Sequence, residues 1–132
     1  MQLINDRTRR VVAHAVELAD TRKARRRGLL GRESLQEGAA LMIVPCFAIH
    51  TAFMRFAIDV VFIDKDGRVV RTVSRMQPWG IATAWRARAV VELPAGRLES
   101  LGRRSSKSEG GCAIEIGDRL YLKPVTEHRR AS

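Results

Sequence analysis

The segment from Ile58 to Val73 constrains the fold of this chain more than any other. It reads IDVVFID, then DKDG, then RVVRTV. Two runs rich in β-branched residues flank a turn in which Asp66-Gly67 can adopt positive φ angles. The segment therefore predicts an antiparallel hairpin. An isolated hairpin is only marginally stable in water, so the rest of the chain must supply further strands that bury it.

Several other segments have the length and composition of short strands. Val11–Ala19 is the first; AALMIVP, CFAIHTAFM and AVVELPAG follow it along the chain. The arginine-rich segment TRKARRR predicts a short solvated helix, with Asp20 at its N-cap and Gly28 at its C-terminal end. Met76–Arg88 has no clean period and is predicted to be a long loop with at most one short strand.

These elements favour a mainly β fold of the α+β class. We expect about six or seven short strands and one or two short helices near the N-terminus, and the sequence shows no repeating β-α-β pattern. Such strands pack as a β-sandwich or a partly closed barrel. The length predicts a single domain over residues 1–132 with a core at 11–124, whereas residues 1–10 and 125–132 are expected to fray.

The net charge of +10 raises the question of a nucleic-acid partner. The basic residues are almost all arginines and are scattered from Arg7 to Arg130, which favours a solvated surface over a dedicated nucleic-acid face. The N-terminal sequence has no apolar stretch typical of a signal peptide or a membrane span. We therefore expect a cytoplasmic protein without membrane insertion, in which Cys46 and Cys112 are free thiols.

Four segments resemble a known family in their order and spacing. They are ADT…RRGLLGRESL, IHTAFMRFAIDVVFIDKDGRVV, VVELPAG and IGDRL, and together they extend from about Leu18 to Leu122. They are similar to the domain of unknown function 192 family. The resemblance implies a compact β-sandwich or jelly-roll-like domain with a short helix near its start, and no established activity. Ile49-His50-Thr51 replaces the Phe-Trp-Met common in the family, which places this chain in a variant branch.

His50 is the first candidate functional residue, because the pKa of a histidine lies near neutrality. Cys46 shares its face in the predicted strand, and Asp59 or Glu92 could complete a Cys/His pair or a zinc site. Four residues along a strand span about 13 Å, however, which is too far for a shared proton or metal ion. The sequence therefore favours a partly buried, structural His50, and it predicts no metal and no cofactor.

Asp59 and Glu92 each lie within an apolar strand, so each carboxylate needs partners if it is buried. One interpretation places them at the mouth of a pocket. The other makes them structural, paired with Arg32 or Arg55 or accepting N–H groups of a turn. The sequence does not separate these two interpretations.

Trp79 and Trp85 lie in the predicted loop, where they can stack on a base or a peptide. Because aromatic rings bury large areas, the sequence favours rings packed back onto the core. The residues expected to edge a candidate pocket are His50, Thr51, Asp59, Glu92, Arg32, Trp79 and Trp85.

The sequence contains no complete catalytic constellation, and no catalytic residue is assigned from it. The favoured function is a non-catalytic binding or accessory module with a shallow pocket for a small ligand or peptide. Two alternatives stay open. One is a small hydrolase or transferase that uses His50 with a carboxylate, and the other is charge-driven binding of nucleic acid. The oligomeric state does not follow from the sequence.

Overall fold

The computed structural model describes residues 1–103 and 113–125. Within them the chain forms two short helices, α1 (Arg22–Arg27) and α2 (Arg97–Gly102), and ten strands. The strands are β1 (Gln2–Asn5), β2 (Val11–Ala13), β3 (Ala15–Ala19), β4 (Ala39–Ile43), β5 (Ala48–His50), β6 (Ile58–Ile63), β7 (Val69–Met76), β8 (Ile81–Thr83), β9 (Ala89–Pro94) and β10 (Leu120–Lys123). No helix of these two ranges has the length and apolar character needed to cross a membrane. The predictions of a free Cys112 and a frayed tail after residue 125 concern residues outside the described part of the chain.

Three sheets build the described part of the fold, and none of them closes into a barrel. The central sheet has five strands in the order β3-β4-β9-β6-β7. A second sheet has the order β10-β1-β2, and the third is a two-stranded ribbon of β5 and β8. The predicted mainly β, sandwich-like class is confirmed. The strands are shorter and more numerous than predicted, in part because Val11–Ala19 is divided at His14 between two sheets. Both helices were expected near the N-terminus, but α2 lies towards the C-terminal end.

Strands β6 and β7 form the predicted antiparallel hairpin. In its turn, Oδ1 of Asp64 accepts hydrogen bonds from the N–H groups of Asp66 and Arg68, each at 2.9 Å. Gly67 has a φ of 82°, and a Cβ atom at this position would lie 2.7 Å from the carbonyl oxygen of Leu120. Both the backbone conformation and the close neighbour therefore require glycine here.

The fold contains a β-α-β unit, which the sequence did not indicate. Strands β3 and β4 pair in parallel along their whole length. Parallel neighbours need a crossover connection, and α1 lies in it. The N-cap of this helix is Thr21, whose hydroxyl accepts the Ala24 N–H at 3.0 Å, and not the predicted Asp20. The helix ends at Gly28, as predicted, with a φ of 49°.

The first residues do not fray, contrary to the prediction. Strand β1 pairs with both β2 and β10, and Leu3 is fully buried. Next to this strand, Nδ2 of Asn5 donates to Asp118 at 2.9 Å, and Nε of Arg7 donates to the same carboxylate at 2.7 Å. The core therefore includes residues before Val11. The sequence indicates this only weakly, because β1 has just four residues and shows no clear periodicity.

Two apolar layers cover the two faces of the central sheet. The three-stranded sheet and α2 pack on one face through Leu3, Val12, Val61, Leu93, Leu101 and Leu120. The ribbon and the segment after α1 pack on the other face through Leu29, Ile43, Ile49, Val60, Phe62 and Ala82. Strands β6 and β9 consequently have both faces covered, and their side chains are almost all buried.

Asp59 connects the central sheet to α2. Its side chain is fully buried, with Oδ1 accepting the Arg75 N–H at 2.8 Å and Oδ2 accepting the Leu98 N–H at 2.8 Å. Helix α2 begins after Gly96, which has no side chain to cap the first turn. Asp59 therefore satisfies an N–H group of this turn from a neighbouring strand.

We expect Asp59→Ala to lower the free energy of unfolding by about 2–5 kcal/mol, because it leaves two backbone N–H groups without an acceptor. Urea denaturation followed by circular dichroism measures the change. Glu99→Ala is the matched control, since Glu99 is an exposed carboxylate that pairs with Arg75 at 2.9 Å. Its unfolding midpoint should stay close to that of the wild type. Equal midpoints for Asp59→Ala and the wild type would contradict the assigned capping role.

Candidate functional site

Glu92 lies within strand β9, in the middle of the central sheet. Its neighbours are Leu41 on β4 and Val60 on β6. The residue is only 4% exposed. Among the described residues, its Oε1 is the one buried side-chain nitrogen or oxygen atom without a hydrogen-bond partner. Burying a polar atom without a partner is costly, so this carboxyl group marks a place where the fold is not optimised for stability alone.

A cavity of about 200 Å³ adjoins this carboxyl group. Its apolar walls come from the end of β4, the ribbon strand β5 and the segment that follows α1. Its polar lining is contributed by Arg25, Arg26, Arg27, Cys46, His50 and Glu92. The cavity thus combines apolar walls, one buried carboxyl group and the basic end of a helix.

Burial raises the pKa of Glu92 from 4.5 to about 7, and the positive charge of Arg32 offsets part of the increase. Arg32 is not bonded to Glu92. Its Nη2 donates to the Glu17 carboxylate at 3.0 and 3.1 Å, and the two side chains line a separate hollow. Glu92 therefore changes its charge near neutral pH, where small changes in its surroundings shift the balance between the two forms.

Cys46 and His50 line the same cavity as Glu92. Sγ of Cys46 donates to the carbonyl oxygen of Ala48 at 3.1 Å, and burial raises the pKa of the thiol. His50 is exposed on the ribbon, opposite Ile81, so the predicted partly buried position is wrong. Within residues 1–103 and 113–125, no three His, Cys, Asp or Glu side chains form a group able to hold a metal ion.

Asp59 and Glu92 do not converge. In the register of β6 and β9, Asp59 is opposite Leu93, whereas Val60 is opposite Glu92. Side chains alternate along a strand, so the two carboxyl groups lie on opposite faces of the central sheet. Asp59 belongs to the face that carries α2, and only Glu92 lines the cavity.

Thr51 is buried, and its hydroxyl group is already bonded. It donates to the Gln77 carbonyl oxygen at 2.7 Å and accepts the Gly80 N–H at 2.8 Å. These bonds connect the end of β5 to the turn that precedes β8. Thr51 therefore shapes the ribbon and does not line the cavity.

Trp79 and Trp85 are exposed, so the prediction that they pack onto the core is wrong. The ring of Trp79 contacts that of Phe53 edge to face, with 4.6 Å between the centroids. The guanidinium of Arg86 lies 5.0 Å from the centre of the Trp85 ring. Both tryptophans lie at the ends of the ribbon and outside the cavity.

Sequence reasoning missed the arginines of α1, which were interpreted as fully solvated. Arg25, Arg26 and Arg27 reach the cavity because the crossover brings the end of α1 over the sheet. The available signal was the apolar pair Leu29-Leu30 directly after the helix. Leu29 is buried in the layer under the ribbon and holds the helix end against it.

Comparison with known proteins identifies relatives over most of the chain. The family model DUF192, described as Uncharacterized ACR, matches residues 3–108. A UPF0127 protein of Thermococcus gammatolerans is 36% identical over 138 residues, which cover 98% of this chain and 80% of the relative. One from Thermococcus sibiricus is 32% identical over 135 residues, covering 98% and 79%. The match to a UPF0127 protein of Pyrococcus furiosus, 35% identical over 74 residues, spans 55% of this chain and 53% of that relative.

Two crystal structures share the fold. A protein of unknown function from Novosphingobium aromaticivorans superposes with a TM-score of 0.72 at 21% identity, over 92% of this chain and 82% of its own. A protein from Sinorhizobium meliloti, named as a candidate transcription regulator, gives a TM-score of 0.71 at 23% identity, over 91% and 89%. At these identities the likeness establishes the common architecture alone.

The raised pKa of Glu92 predicts that the stability of the protein falls between about pH 5 and about pH 8. Below pH 4.5 the side chain is protonated in both the folded and the unfolded state. Between 4.5 and about 7 the unfolded chain releases the proton and the folded chain keeps it, so rising pH favours unfolding. The pKa difference corresponds to about 3 kcal/mol lost by the time Glu92 is ionised in both states.

Urea titrations of the wild type and Glu92→Gln across this pH range test the prediction. Glutamine keeps the shape of the side chain but cannot ionise, so the variant should gain about 3 kcal/mol relative to the wild type as the pH rises. Glu37→Gln, which alters an exposed glutamate, should show no such gain. Parallel pH profiles for the wild type and Glu92→Gln would mean that Glu92 titrates normally.

Proposed function

Because this chain belongs to the uncharacterised DUF192 family, we propose its function from the residues that line the cavity. The protein is a non-catalytic binding module. Its cavity accepts a small ligand, or the end of a peptide, that donates a hydrogen bond to Glu92. The observation that carries the proposal is the buried, unpartnered Oε1 of Glu92 beside that cavity. A ligand donor is the partner that the protein itself does not provide.

The charges around the cavity indicate the chemistry of the ligand. A carboxyl group whose pKa is raised by burial gains most from a cationic donor, because the cation stabilises the ionised form. The arginines of α1 favour an anionic group at the other end of the ligand. A compact molecule with an ammonium group and a carboxylate, as in an amino acid or a short peptide, satisfies both ends of the cavity.

The lining favours binding over nucleophilic chemistry. A catalytic cysteine needs a lowered pKa and a base within hydrogen-bonding reach. The pKa of the Cys46 thiol is instead raised by burial, and its sulfur donates to a backbone carbonyl group. Asp59, the other carboxylate considered for an acid–base role, lies on the far face of the sheet.

A matched set of three small probes tests the proposal: 4-aminobutanoate, n-butylamine and butanoate. We expect 4-aminobutanoate to bind most tightly, n-butylamine more weakly and butanoate most weakly. Amide chemical shifts near Gly28, Cys46 and Glu92 measure the binding. Glu92→Gln should weaken both amines by about tenfold or more, since a charge-assisted hydrogen bond contributes about 1.5–3 kcal/mol.

Two controls make the probe experiment specific. Glu37→Gln removes an exposed carboxylate outside the cavity lining and should leave all three affinities unchanged. Arg25→Gln should reduce the advantage of 4-aminobutanoate over n-butylamine without weakening n-butylamine, because Arg26 and Arg27 still line the cavity. If neither amine shifts the amides of the cavity, or if Glu92→Gln binds them as the wild type does, the proposed function is wrong.

A further inference from the structure

The ribbon of β5 and β8 has one buried face and one open face. Ile49 and Ala82 are paired at its centre and are buried against the central sheet. The residue pairs on either side of them point outward, and Ile81 in one of these pairs is 75% exposed. The open face and the turns at its two ends, residues 47–53 and 79–85, are called the ribbon surface below.

Exposed aromatic rings lie at both ends of the ribbon surface. Phe47 and Trp85 flank one end, where the Ala84 N–H donates to the Phe47 carbonyl oxygen at 2.9 Å. Phe53 and Trp79 flank the other end, where their rings touch. Both tryptophans of the chain are therefore on this surface, and Trp85 is 80% exposed. Exposed rings grouped in this way are typical of an interaction site.

The backbone fixes the outward position of the second pair of rings. Phe53 and Trp79 have φ angles of 65° and 69°, in the left-handed region that bulky residues rarely adopt. The Trp79 N–H donates to the Thr51 carbonyl oxygen at 2.9 Å, and the Thr51 N–H donates to Gly80 at 2.9 Å. The rings are thus presented by a hydrogen-bonded turn, which lowers the entropy cost of binding.

The charge on this part of the chain has one sign. Residues 44–58 and 75–91, which build the ribbon and its flanks, contain no aspartate or glutamate. Their charged residues are Arg55, Arg75, Arg86 and Arg88. Arg75 pairs with Glu99 at 2.9 Å and Arg55 lies 4.0 Å from Glu33, whereas Arg86 and Arg88 form no ion pair with the described part of the chain. Exposed rings beside these two guanidinium groups are complementary to a partner that is anionic and also has flat apolar faces.

Two hollows beside the Phe47–Trp85 end combine exposed rings with guanidinium groups. One, of about 410 Å³, is lined in part by Phe47 and Arg88. The other, of about 210 Å³, is lined in part by Trp85, Arg71 and Arg86. Each hollow therefore places an aromatic side chain next to a guanidinium group, the arrangement that takes a base together with its phosphate.

We infer that the ribbon surface binds single-stranded nucleic acid. Bases stack on the rings at the two ends, and the arginines beside the rings contact phosphates. The ribbon strands alone span about 10 Å, so the two ends hold different bases of one strand. The observations that carry this inference are different from those that carry the ligand proposed for the cavity.

The distribution of the side chains favours a nucleic-acid strand over an anionic lipid surface. Interfacial binding to lipid uses a continuous apolar face that enters the acyl boundary. Here the rings are divided between two ends, and His50 lies between them on the open face. Guanidinium groups adjoin the rings at the Trp85 end, where they would hold phosphate beside a stacked base.

Fluorescence anisotropy with labelled single strands of deoxythymidine and uridine, each fifteen nucleotides long, tests the inference. We expect saturable binding that quenches tryptophan fluorescence and weakens as the salt concentration rises. Trp85→Ala and Trp79→Ala should each weaken binding by about tenfold, because one stacking partner is lost. Arg88→Gln should lower the salt slope by about 0.7. A duplex of equal length should bind more weakly than the single strand, since its bases are already stacked.

Matched controls separate stacking from bulk charge. Arg9→Gln removes one positive charge from the turn between β1 and β2, and Ile116→Ala removes an exposed apolar side chain away from the ribbon. Both variants should bind as the wild type does. The inference is overturned if the tryptophan variants bind as the wild type does, if the duplex binds more tightly, or if phosphatidylglycerol vesicles are bound and the oligonucleotides are not.

Discussion

The pairing of β6 with β9 is the interaction on which the rest of the structure depends. Both strands are covered on both faces, so their register decides which layer receives each side chain. In the observed register Asp59 enters the layer beneath α2, and Glu92 enters the layer beneath the ribbon. A slip of one residue would exchange the faces of either strand and leave both carboxyl groups in the wrong surroundings. The apolar residues around them therefore also fix where the polar chemistry lies.

Asp59 and Glu92 show how one fold treats two buried carboxyl groups differently. Asp59 accepts two backbone N–H groups at 2.8 Å, so its burial is compensated within the protein. The Oε1 atom of Glu92 has no such bond, and burial raises the pKa of the group to about 7. A fold selected for stability alone would pair or replace Glu92, because an apolar residue of similar volume avoids the desolvation cost. Its position beside a cavity is the physical reason to connect that cost with binding.

The sequence predicted the local features well and the long-range ones poorly. The β6–β7 hairpin follows from β-branched runs around the Asp64–Gly67 turn, and Gly28 ends α1 as its position indicated. The parallel pairing of β3 with β4 has no local signature, because the partners are joined only through a crossover. The distinction between Asp59 and Glu92 could not be made either. The difference between the two carboxyl groups depends on the register of β6 against β9, which are distant in the sequence. Each segment alone is equally apolar, so neither shows which face its carboxyl group occupies. The exposure of Trp79 and Trp85 follows from the orientation of the ribbon, whose buried face needs only Ile49 and Ala82.

The cavity and the ribbon surface share strand β5, because Ala48 and His50 line the cavity and also lie on the open face. This shared strand brings the two proposed sites next to each other. A phosphate backbone on the ribbon adds negative charge near Glu92, which disfavours ionisation of that carboxyl group. The neutral form is a poorer partner for an ammonium group, so nucleic acid on the ribbon would weaken a cationic ligand in the cavity. Linkage makes the effect reciprocal: a cation that holds Glu92 ionised would weaken nucleic acid to the same degree. Because β5 contributes to both proposed sites, we expect their occupancies to be coupled without a change of fold.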